Sequence, residues 1–109
     1  ATGRLLTEQM WARQPDLDCI YYSSDVMSVG GYMHCLAEGL SVPQDVALAG
    51  FNNLPILEGL PLQLATTDAC RRPIGERAAE IVLQARDSAA DLAPIRETLS
   101  PRSNLGQSL

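Results

Sequence analysis

The stretch from Cys19-Ile20-Tyr21-Tyr22-Ser23-Ser24-Asp25 to Val46-Ala47-Leu48-Ala49-Gly50-Phe51 decides the fold. Cys19 to Tyr22 and Val46 to Phe51 are short, apolar, β-prone runs of the kind buried in a parallel sheet. After the first, Ser23-Ser24-Asp25 offers side-chain oxygens to the orphan amides of a first helical turn. Val26, Val29, Met33 and Leu36 then recur at helical spacing as one apolar face. Gly39 supplies the left-handed residue that ends a helix near Glu38, and Val42-Pro43-Gln44-Asp45 is a turn. Strand, helix and strand this close together form a βαβ unit. Its right-handed crossover makes the two strands parallel and lays the helix on one sheet face. The expected class is α/β, a parallel sheet flanked by helices.

Working outward, Leu5, Leu6, Met10 and Trp11 mark an amphipathic helix over residues 4–14 that Pro15 stops. Asn52-Asn53-Leu54-Pro55 opens a short helical turn from Ile56 to Gly59, with Pro55 suited to its first turn. Leu64-Ala65-Thr66-Thr67 is a third short strand. Arg72-Pro73 begins another helix that ends near Arg86, with Ile74, Ala78, Ile81, Val82 and Ala85 as its buried stripe. Residues 87–94 read as a linker, Ile95 to Leu99 as an edge strand and residues 100–109 as an irregular tail.

A chain of 109 residues has room for one core. No apolar run approaches the roughly 20 residues that a membrane helix requires, and no basic start with an apolar middle marks export. The expected setting is soluble and cytoplasmic, without a membrane partner. A net charge of -5 is the reverse of a phosphate-binding footprint, so this stretch is not expected to bind DNA. Cys19, Cys35 and Cys70 are odd in number and include no C-x-x-C pair, which supports neither a disulfide scaffold nor a zinc site. They read as small hydrophobes. No metal and no cofactor is indicated, since neither G-x-G-x-x-G nor G-x-x-x-x-G-K-S/T occurs. Gly30-Gly31 inside a helix reads as a point of close packing. His34 lies mid-helix with no nucleophile recognisable by motif, and no catalytic constellation is expected.

Ligands of open parallel α/β sheets gather outside the carboxyl ends of the strands. Two polar clusters fall there: Ser23-Ser24-Asp25 after the first strand and Asn52-Asn53 after the second. Ser24, Asp25 and Asn52 are the candidate binding residues for one hydroxyl-rich ligand. Asp25 serves equally well as a helix cap, and Asn52 as the cap of the turn near Pro55. Arg71-Arg72 has two readings, an anion contact or a solvated helix start.

The order of these features resembles the C-terminal half of LacI/GalR-type repressors, whose core looks like a periplasmic sugar-binding protein of type I. The resemblance rests on Pro15-Asp16-Leu17-Asp18, Ser24-Asp25 with Met27 and Val29-Gly30, and Gly39-Leu40-Ser41-Val42-Pro43-Gln44-Asp45-Val46. It continues through Ala49-Gly50-Phe51-Asn52, Leu64-Ala65-Thr66-Thr67 and Arg71-Arg72-Pro73-Ile74-Gly75. It implies a partial three-layer fold, with residues 1–69 in the C-terminal subdomain and 70–109 forming a crossover helix, linker and final strand or tail. It also implies an effector-sensing, non-enzymatic piece that binds a sugar or sugar acid and forms a homodimer. Operator DNA would be reached only through an N-terminal headpiece absent from this chain, which lacks an initiator methionine and reads as an excerpt.

Where the family usually carries aspartate after G-F, this chain has Asn52, an uncharged donor and acceptor. G-F-N resembles the gluconate-type branch, in which a carboxylate at this point would repel a sugar acid. Ser24 stands where the family often has asparagine. By the same resemblance Val29, Met33, Ile56, Leu57 and Leu60 form the dimer face, and the helix from Pro73 to Arg86 leaves its apolar stripe without its usual partner, so the excerpt is expected to associate. The rival reading is a fragment of a periplasmic sugar-binding protein; an enzyme on a flavodoxin-like sheet lacks nucleophile, base and phosphate loop.

Overall fold

A computed structural model describes residues 2–87 and 93–109. In chain order these form α1 (Thr2–Arg13), β1 (Cys19–Tyr21), α2 (Asp25–Glu38), β2 (Ala47–Ala49), a 3-10 turn (Pro55–Gly59), β3 (Thr66–Asp68), α3 (Arg71–Asp87) and β4 (Arg102–Asn104). β1 and β2 pair in parallel, with Ile20 opposite Leu48. A parallel bridge from Ala49 to Ala65 carries the sheet on to β3, which pairs antiparallel with β4. The βαβ unit is therefore present, and the architecture is α/β.

The loop between α2 and β2 explains the most specific stretch of the sequence. Gly39 caps α2 at φ 70, where a side chain would be strained. The Asp45 carboxylate accepts the Ser41 N–H at 2.7 Å and closes the turn. Val46 then enters the core fully buried. Ile20, Tyr22, Tyr32, Cys35, Leu48, Leu57 and Leu64 fill that core between the sheet and α2.

Of the apolar faces expected on the two helices only Trp11 and Val29 pack against the core, and the residues most deeply buried lie elsewhere. α1 turns Gly3 and Thr7 inward and leaves Leu5, Leu6 and Met10 exposed. The reason is a close crossing with α2: a Cβ on Gly30 would lie 2.8 Å from the Arg4 backbone nitrogen, and one on Gly3 would overlap the Met27 carbonyl. Only small residues fit, as Gly30-Gly31 suggested. Thr7 Oγ1 donates to the Gly3 carbonyl at 2.7 Å and lies 2.8 Å from Tyr22 Oη. Burial pushes the Tyr22 phenol above its ordinary pKa. α2 buries Asp25, Ser28, Gly31, Tyr32, His34 and Cys35, while Val26, Met33 and Leu36 face outward.

The C-terminal region departs further from expectation. Residues 95–99 form no strand; the strand is Arg102–Asn104. Instead, Glu97 takes a two-pronged ion pair from Arg77 of α3, at 2.6 and 2.8 Å, which holds the segment along that helix and lowers the carboxyl pKa. A groove of about 400 Å³ between them is lined by Ile74, Ala78, Ile81, Ile95 and Leu99. No residue of α3 is buried, so its stripe is left uncovered among the described residues. The linker expected over 87–94 falls largely outside the described residues.

The tail is ordered rather than irregular. Fully buried Ser108 donates its hydroxyl to the Leu48 carbonyl at 2.6 Å and accepts the Ala65 N–H at 2.7 Å. The Leu48 N–H returns to the Ser108 carbonyl at 2.9 Å. One residue thus ties β2 to the start of β3. The sheet face away from the core stays open, with Tyr21, Leu105 and Leu109 more than half exposed.

Candidate functional site

Three strands end together at the carboxyl edge, and one carboxylate organises what lies beyond them. Asp25, the first residue of α2, is fully buried. Its backbone N–H donates to the Phe51 carbonyl at 3.0 Å. Its Oδ2 accepts the Leu54 N–H at 2.7 Å and its Oδ1 accepts the Thr66 hydroxyl at 2.7 Å. Thr66 Oγ1 in turn accepts the Asn53 N–H at 3.1 Å. Gly50 makes room for this hub, because a Cβ there would lie 2.5 Å from Asp25 Oδ1 and 2.7 Å from Ser28 Oγ. The glycine of Ala49-Gly50-Phe51 is thereby explained.

The hub fixes a loop in a conformation few residues adopt. Asn52 has φ 105 and Asn53 φ 49, in the left-handed region where asparagine is tolerated better than most side chains. The Asn52 N–H donates to the Thr67 carbonyl at 2.9 Å, which aligns the loop with β3. Cys70, at φ 55, then turns the chain into α3. Its N–H donates to Asp68 Oδ1 at 2.8 Å. One guanidinium nitrogen of Arg71 donates to the Asn52 carbonyl at 3.1 Å.

The structure brings Ser24, Asp25 and Asn52 to the same end of the sheet. Their states differ. Both Asp25 oxygens are engaged by the protein's own donors and are sealed from solvent, so Asp25 anchors the loop. Ser24 occupies the N-cap position without a side-chain cap bond, and its half-buried hydroxyl has no hydrogen-bond partner among the described residues. The Asn52 amide, also half-buried, is likewise uncommitted. Such groups can bond a polyhydroxylated molecule without first breaking an internal contact.

Sequence reasoning missed Thr66 and Arg71's link to Asn52. The signal for Thr66 is faint: a threonine at the start of β3 has no local pattern, because its partner lies 41 residues away. Of the five residues expected at the dimer face, Leu57 is a correction: only 8% exposed, it belongs to the core. Val29 and Leu60 are partly buried against that core. Met33 and Ile56 are exposed, at 40% and 48%, beside the equally open Val26 and Leu36. No helix among the described residues is long and apolar enough to cross a membrane, and no group of three or more acidic, histidine or cysteine side chains is placed to hold a metal.

The chain is an α/β domain with a locked polar loop at the carboxyl edge of its parallel sheet, and the family model for a periplasmic binding protein-like domain matches residues 2–109. The chain belongs to that family, in the form carried by LacI-family transcription regulators. It is 35% identical to the HTH-type transcriptional regulator GntR of Pseudomonas aeruginosa, over 84% of this chain and 29% of that protein. A LacI-family regulator from Silicibacter pomeroyi superposes with a TM-score of 0.90 at 43% identity, covering 97% of this chain and 32% of the other. A LacI-family regulator from Arthrobacter sp. FB24, solved in complex with lactose, gives a TM-score of 0.86 at 28% identity over 97% of this chain and 40% of the other. The chain thus spans about a third of the length of such relatives.

Proposed function

We propose that this chain is the effector-sensing and self-association portion of a LacI-type transcriptional repressor, and that its effector is a sugar or a sugar acid of the gluconate type. The reading rests above all on the uncommitted Ser24 hydroxyl and Asn52 amide at the carboxyl edge of β1 and β2, held over the Asp25 hub. A relative of the same fold was solved with lactose, which supports a hydroxyl-rich ligand. Asn52 adds no negative charge at a point where a carboxylate would repel a sugar acid.

In the intact protein the effector sits between this edge and a second subdomain, and operator DNA is bound through a headpiece outside this chain. The dimer forms through the outward face of α2 and the neighbouring 3-10 turn. Because Asp25 is both the first residue of α2 and the anchor of the Asn52 loop, a ligand that draws on Asn52 loads the helix that faces the second copy. Such coupling requires that the effector bind one arrangement more tightly than the other.

The test is calorimetric titration of the intact protein with D-gluconate and with lactose, for wild type and Asn52→Ala. Affinity for the bound sugar falls about tenfold or more in Asn52→Ala, while Asn52→Gly, which relieves the strain alanine meets at φ 105, loses the same affinity with its melting temperature kept, as expected for loss of a hydrogen-bonding amide whose side chain the fold does not use. Unchanged affinity removes Asn52 from the site.

A further inference from the structure

We infer that Arg71 is the residue that reads the charge of the effector, pairing with an anionic group at the end of a polyhydroxylated chain; the inference rests on the carboxyl edge being the effector site. Arg71 and Arg72 are adjacent in sequence but not equivalent. Arg72 is spent on Glu76, at 2.8 Å within its own helix. Arg71 forms no ion pair among the described residues, and it is aimed at the loop rather than along α3: one of its nitrogens donates to the Asn52 carbonyl at 3.1 Å. A guanidinium has five N–H donors in a planar fork. A single bond to one carbonyl orients the fork and leaves the remaining donors for a ligand.

No carboxylate among the described residues lies within ion-pair distance of Arg71. Both Asp25 oxygens are bound by Leu54 and Thr66 and are buried. Asp68, the other acid at this edge, has Oδ1 on the Cys70 N–H. The sharp turn at Cys70 brings the first residue of α3 over the Asn52 loop. Arg71 and Asn52 are therefore joined by a hydrogen bond from the guanidinium to the Asn52 carbonyl, which sets a cation beside a neutral amide at this edge. This arrangement matches a ligand with hydroxyls along its chain and one carboxylate, which arginine binds through two parallel N–H···O bonds. Arg71 thus sets which class of polyol is accepted, while Ser24 and Asn52 serve the hydroxyls common to all of them.

D-gluconate and D-glucitol differ only in a terminal carboxylate against a terminal hydroxymethyl, and titration of the intact protein with both isolates the charge. Wild type prefers D-gluconate. Arg71→Leu lowers its affinity for D-gluconate by about ten- to a hundredfold, the range for a lost charge-assisted pair, and leaves the D-glucitol affinity within about twofold. Arg72→Leu changes neither. Arg71→Lys recovers part of the loss, because it keeps the charge and loses the fork. Arg71→Leu with unchanged D-gluconate affinity overturns the inference, as does equal wild-type affinity for the two probes. In the second case a loss of binding in Asn52→Ala shows that the effector reading stands without a charge-reading arginine. Binding of either probe that ignores both Asn52→Ala and Arg71→Leu removes both readings together.

Discussion

Asp25 is a fully buried carboxylate on which the loop carrying Asn52 is anchored. Its two oxygens satisfy a loop amide and a strand hydroxyl in the dry interior, where an unmet donor costs about 1–3 kcal/mol. Asp25→Ala orphans both donors and frees the Asn52 loop from its left-handed conformation. Chemical denaturation is expected to show a stability loss of about 2–4 kcal/mol, several times that of Ser24→Ala, whose hydroxyl the fold leaves unused. Equal small losses in the two variants would show that the hub is decorative. The sequence placed Asp25 at this end of the sheet but left cap and ligand contact undecided, and in the structure both oxygens accept bonds from Leu54 and Thr66. Its partners, Leu54 and Thr66, lie 29 and 41 residues away, and no local spacing encodes such a bond.

At the scale of elements, what the sequence made legible was punctuation. Gly39 ends α2, Pro15 follows α1, and the two apolar runs become paired strands in the register of Ile20 against Leu48. Which face of a helix turns inward was not legible. Apolar periodicity marks a surface that avoids water without saying whether a core or another molecule covers it, and in α1 and α2 the closest contacts are made by Gly3, Thr7, Gly30 and Gly31. Gly3→Ala places a methyl group against the Met27 carbonyl and forces the helices apart. Although alanine favours a helix by about 1 kcal/mol over glycine, the overlap is with backbone and should dominate, for a net loss of about 1–2 kcal/mol in thermal unfolding. A stabilised variant would mean that the helices do not cross this closely. The segment Ser103-Asn104-Leu105-Gly106-Gln107 has no apolar period to mark it as structured, yet Ser108 beyond it stitches two strands. Ser108→Ala is expected to speed amide exchange at Ala65, whose partner it removes, while exchange at Tyr22 in β1's ladder stays slow. Uniform acceleration at both amides would instead mark general destabilisation.

The whole molecule is more open than its length requires. Its radius of gyration is 19.0 Å, against about 13 Å for a compact chain of this size, because α3 and residues 95–99 extend from the body around an uncovered groove. The open sheet face at Tyr21 and Leu105, the outward stripe of α2 and the unburied α3 are three apolar surfaces that a single copy of this chain leaves in water. Met33→Asp, at an exposed point of the α2 stripe, is expected to weaken self-association of the intact protein at least tenfold in sedimentation while preserving its circular dichroism. An unchanged dimer would move the self-association face elsewhere. Sequence resemblance anticipated that α3 would lack a partner here, and the βαβ unit was readable from Cys19 to Phe51. The extended lie of residues 95–99 was not, since it depends on the Arg77–Glu97 pair between residues 20 apart in sequence.

The central claim is that the carboxyl edge of β1, β2 and β3 receives the effector, and a crystal structure of the intact protein grown with D-gluconate addresses it most directly. The account predicts electron density for the ligand with hydroxyls within hydrogen-bond distance of Ser24 Oγ and the Asn52 amide, its carboxylate on Arg71, and Asp25 still bound to Leu54 and Thr66. Ligand density seated elsewhere, such as in the groove between α3 and Ile95, with the carboxyl edge covered by the protein's own side chains, would contradict it.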